Sequence, residues 1–178
     1  RDDLLQNNLG IRPSRVSVLP NSVEFGRFAG VEYDKMQARQ KIGLSEEGFL
    51  FGTVARLAPM KGQNNLVEAF AKLCKTHANF RLVLVGDGPL RDELQNQARA
   101  CGCSESVHFL GRRSDVEVCF RAMDVFVLSS VASEGMPRAL LEAMASGVPC
   151  VVSRLSGIME VVESEEYGRL VPPGDIEG

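Results

Sequence analysis

Two cations, two carboxylates and a pair of glycines are the residues of this chain whose types and spacing could do chemistry together. Arg56 and Lys61 lie five positions apart in Ala55-Arg56-Leu57-Ala58-Pro59-Met60-Lys61-Gly62, after an apolar run and before an amphipathic stretch. Arginine offers a forked donor and lysine a compact charge, a combination suited to a diphosphate. Lys and Arg also abound in ordinary solvated loops, so the pair alone leaves both readings open. Glu134 and Glu142 are eight positions apart in Ser133-Glu134-Gly135-Met136-Pro137-Arg138-Ala139-Leu140-Leu141-Glu142. Gly135 and Met136 would present free backbone N–H groups at the start of a helix, where an anion is stabilised. Glu142 has a plainer reading as the i+4 partner of Arg138, in the less favourable order with the cation nearer the helix N-terminus. Gly86-Asp87-Gly88-Pro89 is half of a dinucleotide fingerprint, but Arg91 stands at the third glycine position; a tight strand-to-helix turn explains the glycines equally well. No G-x-x-x-x-G-K-[ST] phosphate loop is present.

The elements that must position these residues alternate. Candidate strands are Val16–Leu19, Phe49–Val54, Arg81–Val85, Val107–Leu110, Val125–Leu128, Cys150–Val152 and Arg169–Val171. Leu82-Val83-Leu84-Val85 is apolar at successive positions, the pattern of a strand covered on both faces in a parallel sheet. Helical patterns fall between the strands. Gln63–His77 carries Leu66, Phe70 and Leu73 at i, i+4 and i+7, widened by Val67, Ala69 and Cys74. Pro89–Cys101 starts with proline and closes at Gly102. Ser114–Met123 offers a Ser114/Glu117 capping box, and Pro137–Ser146 ends at Gly147. This alternation predicts a doubly wound, Rossmann-like α/β domain with a parallel sheet, in which ligands sit at the carboxyl ends of the strands. Residues 46–178 form that domain. Residues 1–45 read as a connector from a preceding domain, with a short helix, a strand and a second helix over Val31–Ile42. The final residues, Val-Pro-Pro-Gly-Asp-Ile-Glu-Gly, read as the start of a truncated helix.

Composition narrows the function. A chain of 178 residues, 44% apolar and 24% charged, has the make-up of one globular domain. A net charge of −3 without any basic run argues against a nucleic-acid surface, and no apolar stretch is long enough to span a bilayer. The five cysteines are irregularly spaced. Cys101-Gly-Cys103 is one residue short of the usual zinc spacing and no second pair completes it, so reduced, mostly buried thiols and a cytoplasmic setting are expected, with no metal. His77 and His108 read as structural, and Asp87 and Asp124 as turn formers.

An ordered series of motifs resembles one family. Arg56 with Lys61, then Val83–Pro89, Val107-His108-Phe109-Leu110-Gly111, Met123–Leu128, the E-x(7)-E pair Glu134/Glu142 and Val171-Pro172-Pro173-Gly174-Asp175 are similar to successive signatures of the C-terminal domain of the retaining glycosyltransferases that include sucrose synthases and bacterial mannosyl- and glucosyltransferases. Pro20-Asn21-Ser22-Val23-Glu24 matches a loop usually written Asn-Gly-Val-Asp. Ser22 and Glu24 depart from that loop, and Met136 and Arg138 vary a stretch that is often Phe-Gly, which bears on the choice of donor sugar.

The resemblance implies the C-terminal half of a GT-B fold, binding a UDP-, GDP- or ADP-sugar for transfer of a hexosyl group with retention of configuration. The acceptor, a glycan, lipid or small molecule, would sit on the missing N-terminal half, so the fragment alone would be inactive; the full-length protein could associate with a membrane. It implies Arg56 and Lys61 on the diphosphate, Glu142 on the ribose, Glu134 on the sugar hydroxyls beside the Gly135 and Met136 amides, and the base by the loop around Arg112 and Arg113. The chain has no Asp-x-Asp motif, so the two cations would act without a metal or other cofactor. Other classes remain open: a nucleotide-sugar epimerase or hydrolase half-domain, or a non-catalytic nucleotide-sugar-binding module. A nicotinamide dehydrogenase is disfavoured by Arg91.

Overall fold

The structure, a computed structural model, describes residues 17, 19–44, 47–132 and 134–177. Six strands, β1 (Phe49–Val54), β2 (Phe80–Val85), β3 (Val107–Gly111), β4 (Val125–Leu128), β5 (Cys150–Ser153) and β6 (Arg169–Val171), make one sheet in the order β3-β2-β1-β4-β5-β6. Every pairing is parallel. Strand order reverses between β1 and β4, so the loops leaving those strands diverge and open a crevice at their carboxyl ends.

Helices cover the sheet on both faces: α1 (Phe25–Ala29), α2 (Lys35–Lys41), α3 (Gln63–Cys74), α4 (Arg91–Ala100), α5 (Val116–Ala122), α6 (Arg138–Ala145) and α7 (Ser156–Met159). The continuous apolar run of β2 has its reason in this layering. Val83 and Val85 join one core with Phe28, Phe120, Phe126 and Leu140, while Leu82 and Leu84 join another with Leu66, Phe70 and Leu94. Each large side chain withdrawn from water contributes about 1.5–3 kcal/mol. Phe120 and Phe126 add an edge-on contact at 5.5 Å, within the favourable range for aromatic pairs.

The expected strands from Phe49 onward all form, with bounds shifted by at most a residue at either end. Of the expected strand Val16–Leu19, residues 16 and 18 lie outside the described residues, and Ser17 and Leu19 are not in a strand. Helix bounds differ where local chemistry decides them. α2 starts at Lys35 rather than Val31 because Asp34 and Gln37 form a reciprocal capping box. The capping box expected at Ser114/Glu117 does not form: α5 begins after Asp115 with no side-chain cap, and Glu117 is drawn to Arg27 instead. α3 buries Leu66, Val67, Phe70 and Ala71, whereas Leu73 turns outward and is 40% exposed.

At the amino ends of the strands, Asp124 is far more than a turn former. It accepts from the Leu50 amide at 2.7 Å, from Arg39 at 2.6 Å and from Lys35 at 2.5 Å, joining α2 to β1 and β4. Burial alone would raise its pKa; the Leu50 amide and the two cations outweigh that and hold it below the ordinary aspartate value. His77 stacks on Phe80 at 4.4 Å, consistent with a structural role. Burial, with the field of Arg81, pushes His108 below the usual histidine value.

Candidate nucleotide-sugar site

The loops leaving β1 and β2 are laid directly on each other. Leu57 N donates to the Asp87 carbonyl at 3.1 Å and Leu90 N to the Leu57 carbonyl at 3.2 Å. A Cβ on Gly88 would stand 2.2 Å from the Leu57 oxygen, and one on Gly86 1.9 Å from the Ala55 oxygen. These glycines therefore exist for backbone approach, and what they position is Arg56, which lies between the two contacts. This answers the ambiguity of Gly86-Asp87-Gly88: it shapes the neighbouring loop. Buried Gln63 secures the same loop from α3, its Nε2 donating to the Arg56 carbonyl at 2.9 Å.

Above this junction is an open cleft of about 770 Å³, lined by Arg56, Gly86, Asp87, Gly88, Arg112, Arg113 and Val116, among others. Three residues separated by up to 57 positions thus reach one space. Arg56 and Arg112 are exposed, and among the described residues neither guanidinium has a partner. Arg113 is committed: Nε and Nη2 grip Asp115 at 2.9 and 2.7 Å, and this guanidinium holds Asp115 below the ordinary carboxylate value.

Lys61 and Glu134 lie outside the lining of that cleft and meet each other across the β1–β4 switch point. Lys61 closes a single 3-10 turn, Pro59–Lys61, and its Nζ ion-pairs with Glu134 Oε1. The buried Ser130 hydroxyl donates to the same oxygen at 2.6 Å, and Ser129 Oγ donates to the Lys61 carbonyl at 3.0 Å. An ammonium carries three donors and a carboxylate about four lone-pair sites, so both groups keep capacity for a ligand. The backbone at Glu134–Gly135 is seated on α7: a Cβ on Gly157 would fall 2.0 Å from the Gly135 oxygen. The Met136 carbonyl accepts from Asn21 Nδ2 at 2.7 Å, and Pro137 caps α6.

Glu142, half-buried on α6, is not part of the cleft lining. Its ion pair with Arg138 is loose, at 3.7 Å with Arg138 71% exposed, so the plainer reading as an i+4 partner accounts for little. Burial pushes its carboxyl above the ordinary glutamate value, offset in part by the fields of Arg138 and Arg27, while Glu117 adds to the rise. Sequence reasoning assigns no site contact to Gln63, Ser129, Ser130, Asn21 or Arg27, and meets Asn21 only within the loop Pro20–Glu24. Their partners are 7, 68, 4, 115 and 90 residues away, and only the four-residue Ser130–Glu134 and seven-residue Gln63–Arg56 spacings were within local reach. Among the described residues no group of His, Cys, Asp or Glu could hold a metal ion, and all five cysteines are free, Cys103, Cys119 and Cys150 buried. Burial pushes the thiols of Cys119 and Cys150 up to about 12.

A six-stranded parallel sheet of this order, with an arginine-lined cleft beside its switch point, defines a Rossmann-like α/β domain. The chain belongs to the glycosyl transferases group 1 family, whose model matches residues 34–178. It is 36% identical over 173 residues to the UDP-Gal:alpha-D-GlcNAc-diphosphoundecaprenol alpha-1,3-galactosyltransferase of Escherichia coli, covering 95% of this chain and 44% of that protein. It is 33% identical over 145 residues to the N-acetyl-alpha-D-glucosaminyl L-malate synthase of Bacillus anthracis, covering 82% of this chain and 38% of that one. The chain thus spans less than half the length of these relatives. Among solved structures, Anabaena Alr3699/HepE in complex with UDP and glucose superposes with a TM-score of 0.84 at 32% identity, over 94% of this chain and 46% of HepE. The C-terminal domain of LpcC from Francisella tularensis, a group 1 family protein, superposes at 0.75 with 25% identity, over 88% of this chain and 83% of that domain. No helix among the described residues is long and apolar enough to cross a membrane.

Proposed function

We propose that this chain binds the uridine-nucleotide donor of a hexosyltransferase that works with retention of configuration and without a metal. The observation that carries the reading is the convergence of Arg56 and Arg112 on one cleft with no partner for either among the described residues. Unpaired cations beside a crevice at the carboxyl ends of parallel strands are where a diphosphate is best received. Uridine is favoured over guanosine or adenosine because HepE is seen with UDP and with UDP-glucose and the Escherichia coli relative is named for UDP-Gal.

In this reading the reacting bond lies between the diphosphate and the sugar's anomeric carbon. Its cleavage builds negative charge on the diphosphate and oxocarbenium character on the sugar. The Arg56 fork and the remaining Lys61 protons face the departing charge, assisted by the N-terminus of α6 with roughly half a unit of positive charge. Fixed donors of this kind lower the barrier by electrostatic preorganisation. Glu134, its Oε1 already held by Lys61 and Ser130, offers its other oxygen to sugar hydroxyls near the Gly135 and Met136 amides. Glu142 accepts from the ribose, and the base lies along the loop carrying Arg112 and Arg113, met mainly by backbone since Arg113 is tied to Asp115. In this reading the described residues bind the donor, and none of them is assigned to the acceptor.

Titration with UDP, GDP, ADP and 2′,3′-dideoxy-UDP tests the reading. UDP should bind most tightly, and Glu142→Ala should weaken it by about 1.5–3 kcal/mol, the range for hydrogen bonds to a charged group. The dideoxy analogue should lose little more in that variant. Equal sensitivity to the missing hydroxyls in wild type and variant would remove Glu142 from the ribose.

A further inference from the structure

The segment Asn21–Ala29 touches the loops at both ends of the donor site. At one end, Arg27 reaches across 90 residues: Nε and Nη2 donate to Glu117 Oε2 at 3.1 and 2.7 Å, and Nη2 also donates to the Ser114 carbonyl at 2.7 Å. That carbonyl follows directly on the Arg112–Arg113 loop, and Glu117 is in the first turn of α5. At the other end, Asn21 Nδ2 donates to the Met136 carbonyl at 2.7 Å, on the turn that leads into α6. Between these two grips Phe28 is buried, 4% exposed, with its ring 6.1 Å from that of Phe120 on α5. α1 has only five residues and no side-chain cap, so these tertiary contacts, not helix propensity, hold it in place.

We infer that Arg27 and Asn21 are positioning residues that couple the two ends of the donor site, Arg27 setting the nucleoside end and Asn21 the sugar end. The inference rests on the donor reading of the cleft. Arg27 has an electrostatic share as well. The charged groups whose fields reach Glu142 are Arg138 on its own helix, Arg27 on α1 and Glu117 on α5. While Arg27 holds Glu117, that carboxylate is compensated. Without Arg27 it stands uncompensated near Glu142 and makes the ionised, ribose-accepting form harder to keep.

The full chain, its fold checked by thermal melting, is titrated with UDP and with UDP-glucose across a pH series. Arg27→Ala should weaken both ligands equally, by about 5-fold, the equivalent of one neutral hydrogen bond, and should move the acid limb of UDP binding to higher pH. Arg27→Lys keeps the charge but cannot grip Glu117 and Ser114 together; it should weaken binding while leaving the pH limb where it is in wild type. Asn21→Ala should weaken UDP-glucose by about 5-fold and UDP much less. Wild-type binding that none of the three substitutions alters, or a UDP to UDP-glucose ratio that Asn21→Ala leaves unchanged, overturns the coupling and spares the donor reading. A folded wild-type chain that binds neither ligand overturns both.

Discussion

The two rims of this sheet treat charge in opposite ways. At the amino ends of the strands, Arg39 and Asp124 are almost withdrawn from water, and each charged atom meets an opposite charge or a backbone group. At the carboxyl ends, Arg56 and Arg112 stand open, and Lys61 and Glu134, though paired, retain unused donor and acceptor capacity. A charge satisfied within the chain stabilises the fold and is closed to a ligand. A charge left open adds little stability and is available for binding. Function in this domain is therefore read from where compensation is incomplete, and mutations at the two rims should separate stability from binding.

The largest expected effect is at the satisfied rim. Asp124→Asn leaves Arg39 buried beside a neutral partner, and breaking such a pair costs about 3–5 kcal/mol of folding stability. Asp124 has its pKa lowered in the folded state, so its stabilisation is present above the ordinary aspartate value and is lost as pH falls through the lowered one. The deficit of the variant in chemical denaturation should accordingly be full at neutral pH and shrink on acidification. UDP affinity of the folded variant should stay at the wild-type level; a parallel loss of affinity would mean that the two rims are not independent.

A smaller effect of opposite sign is expected at Glu142. Its pKa is raised on folding, so the stability linked to it is complete below the ordinary glutamate value and is lost as pH rises through the raised one. Glu142→Gln should therefore be slightly more stable than wild type at neutral pH, with the gap closing in acid, while UDP affinity falls. A variant less stable than wild type at neutral pH would show the carboxylate to be a structural partner after all.

Much of this was legible in sequence. The strands came through because a parallel sheet covered on both faces demands continuous apolar runs such as Leu82–Val85, and the β-branched Val83 and Val85 with Gly86 directly after favour a strand over a buried helix turn. Arg56, Lys61 and Glu134 stood out because charges concentrated at strand–helix junctions are conspicuous against apolar runs, and Glu142, inside a helix, because its pairing with Arg138 runs in the less favourable order. What stayed hidden was pairing at a distance. Nothing local to Glu117 says that it will leave its helix cap for Arg27, and nothing near Asp124 announces Arg39, 85 residues earlier. The purpose of Gly86 and Gly88 was likewise invisible until the β1 loop lay on top of them.

The most direct test of the account is calorimetric titration of UDP into the wild-type chain and into Arg56→Ala, each with EDTA and with magnesium. Arg56 has no partner to lose among the described residues, so its removal should leave thermal stability without ligand unchanged while weakening UDP by about 1.5–3 kcal/mol. Binding to the wild type should survive EDTA and weaken with added salt, as expected for exposed charges. Loss of binding in EDTA, or Arg56→Ala binding UDP as wild type does, would place the diphosphate elsewhere and contradict the account.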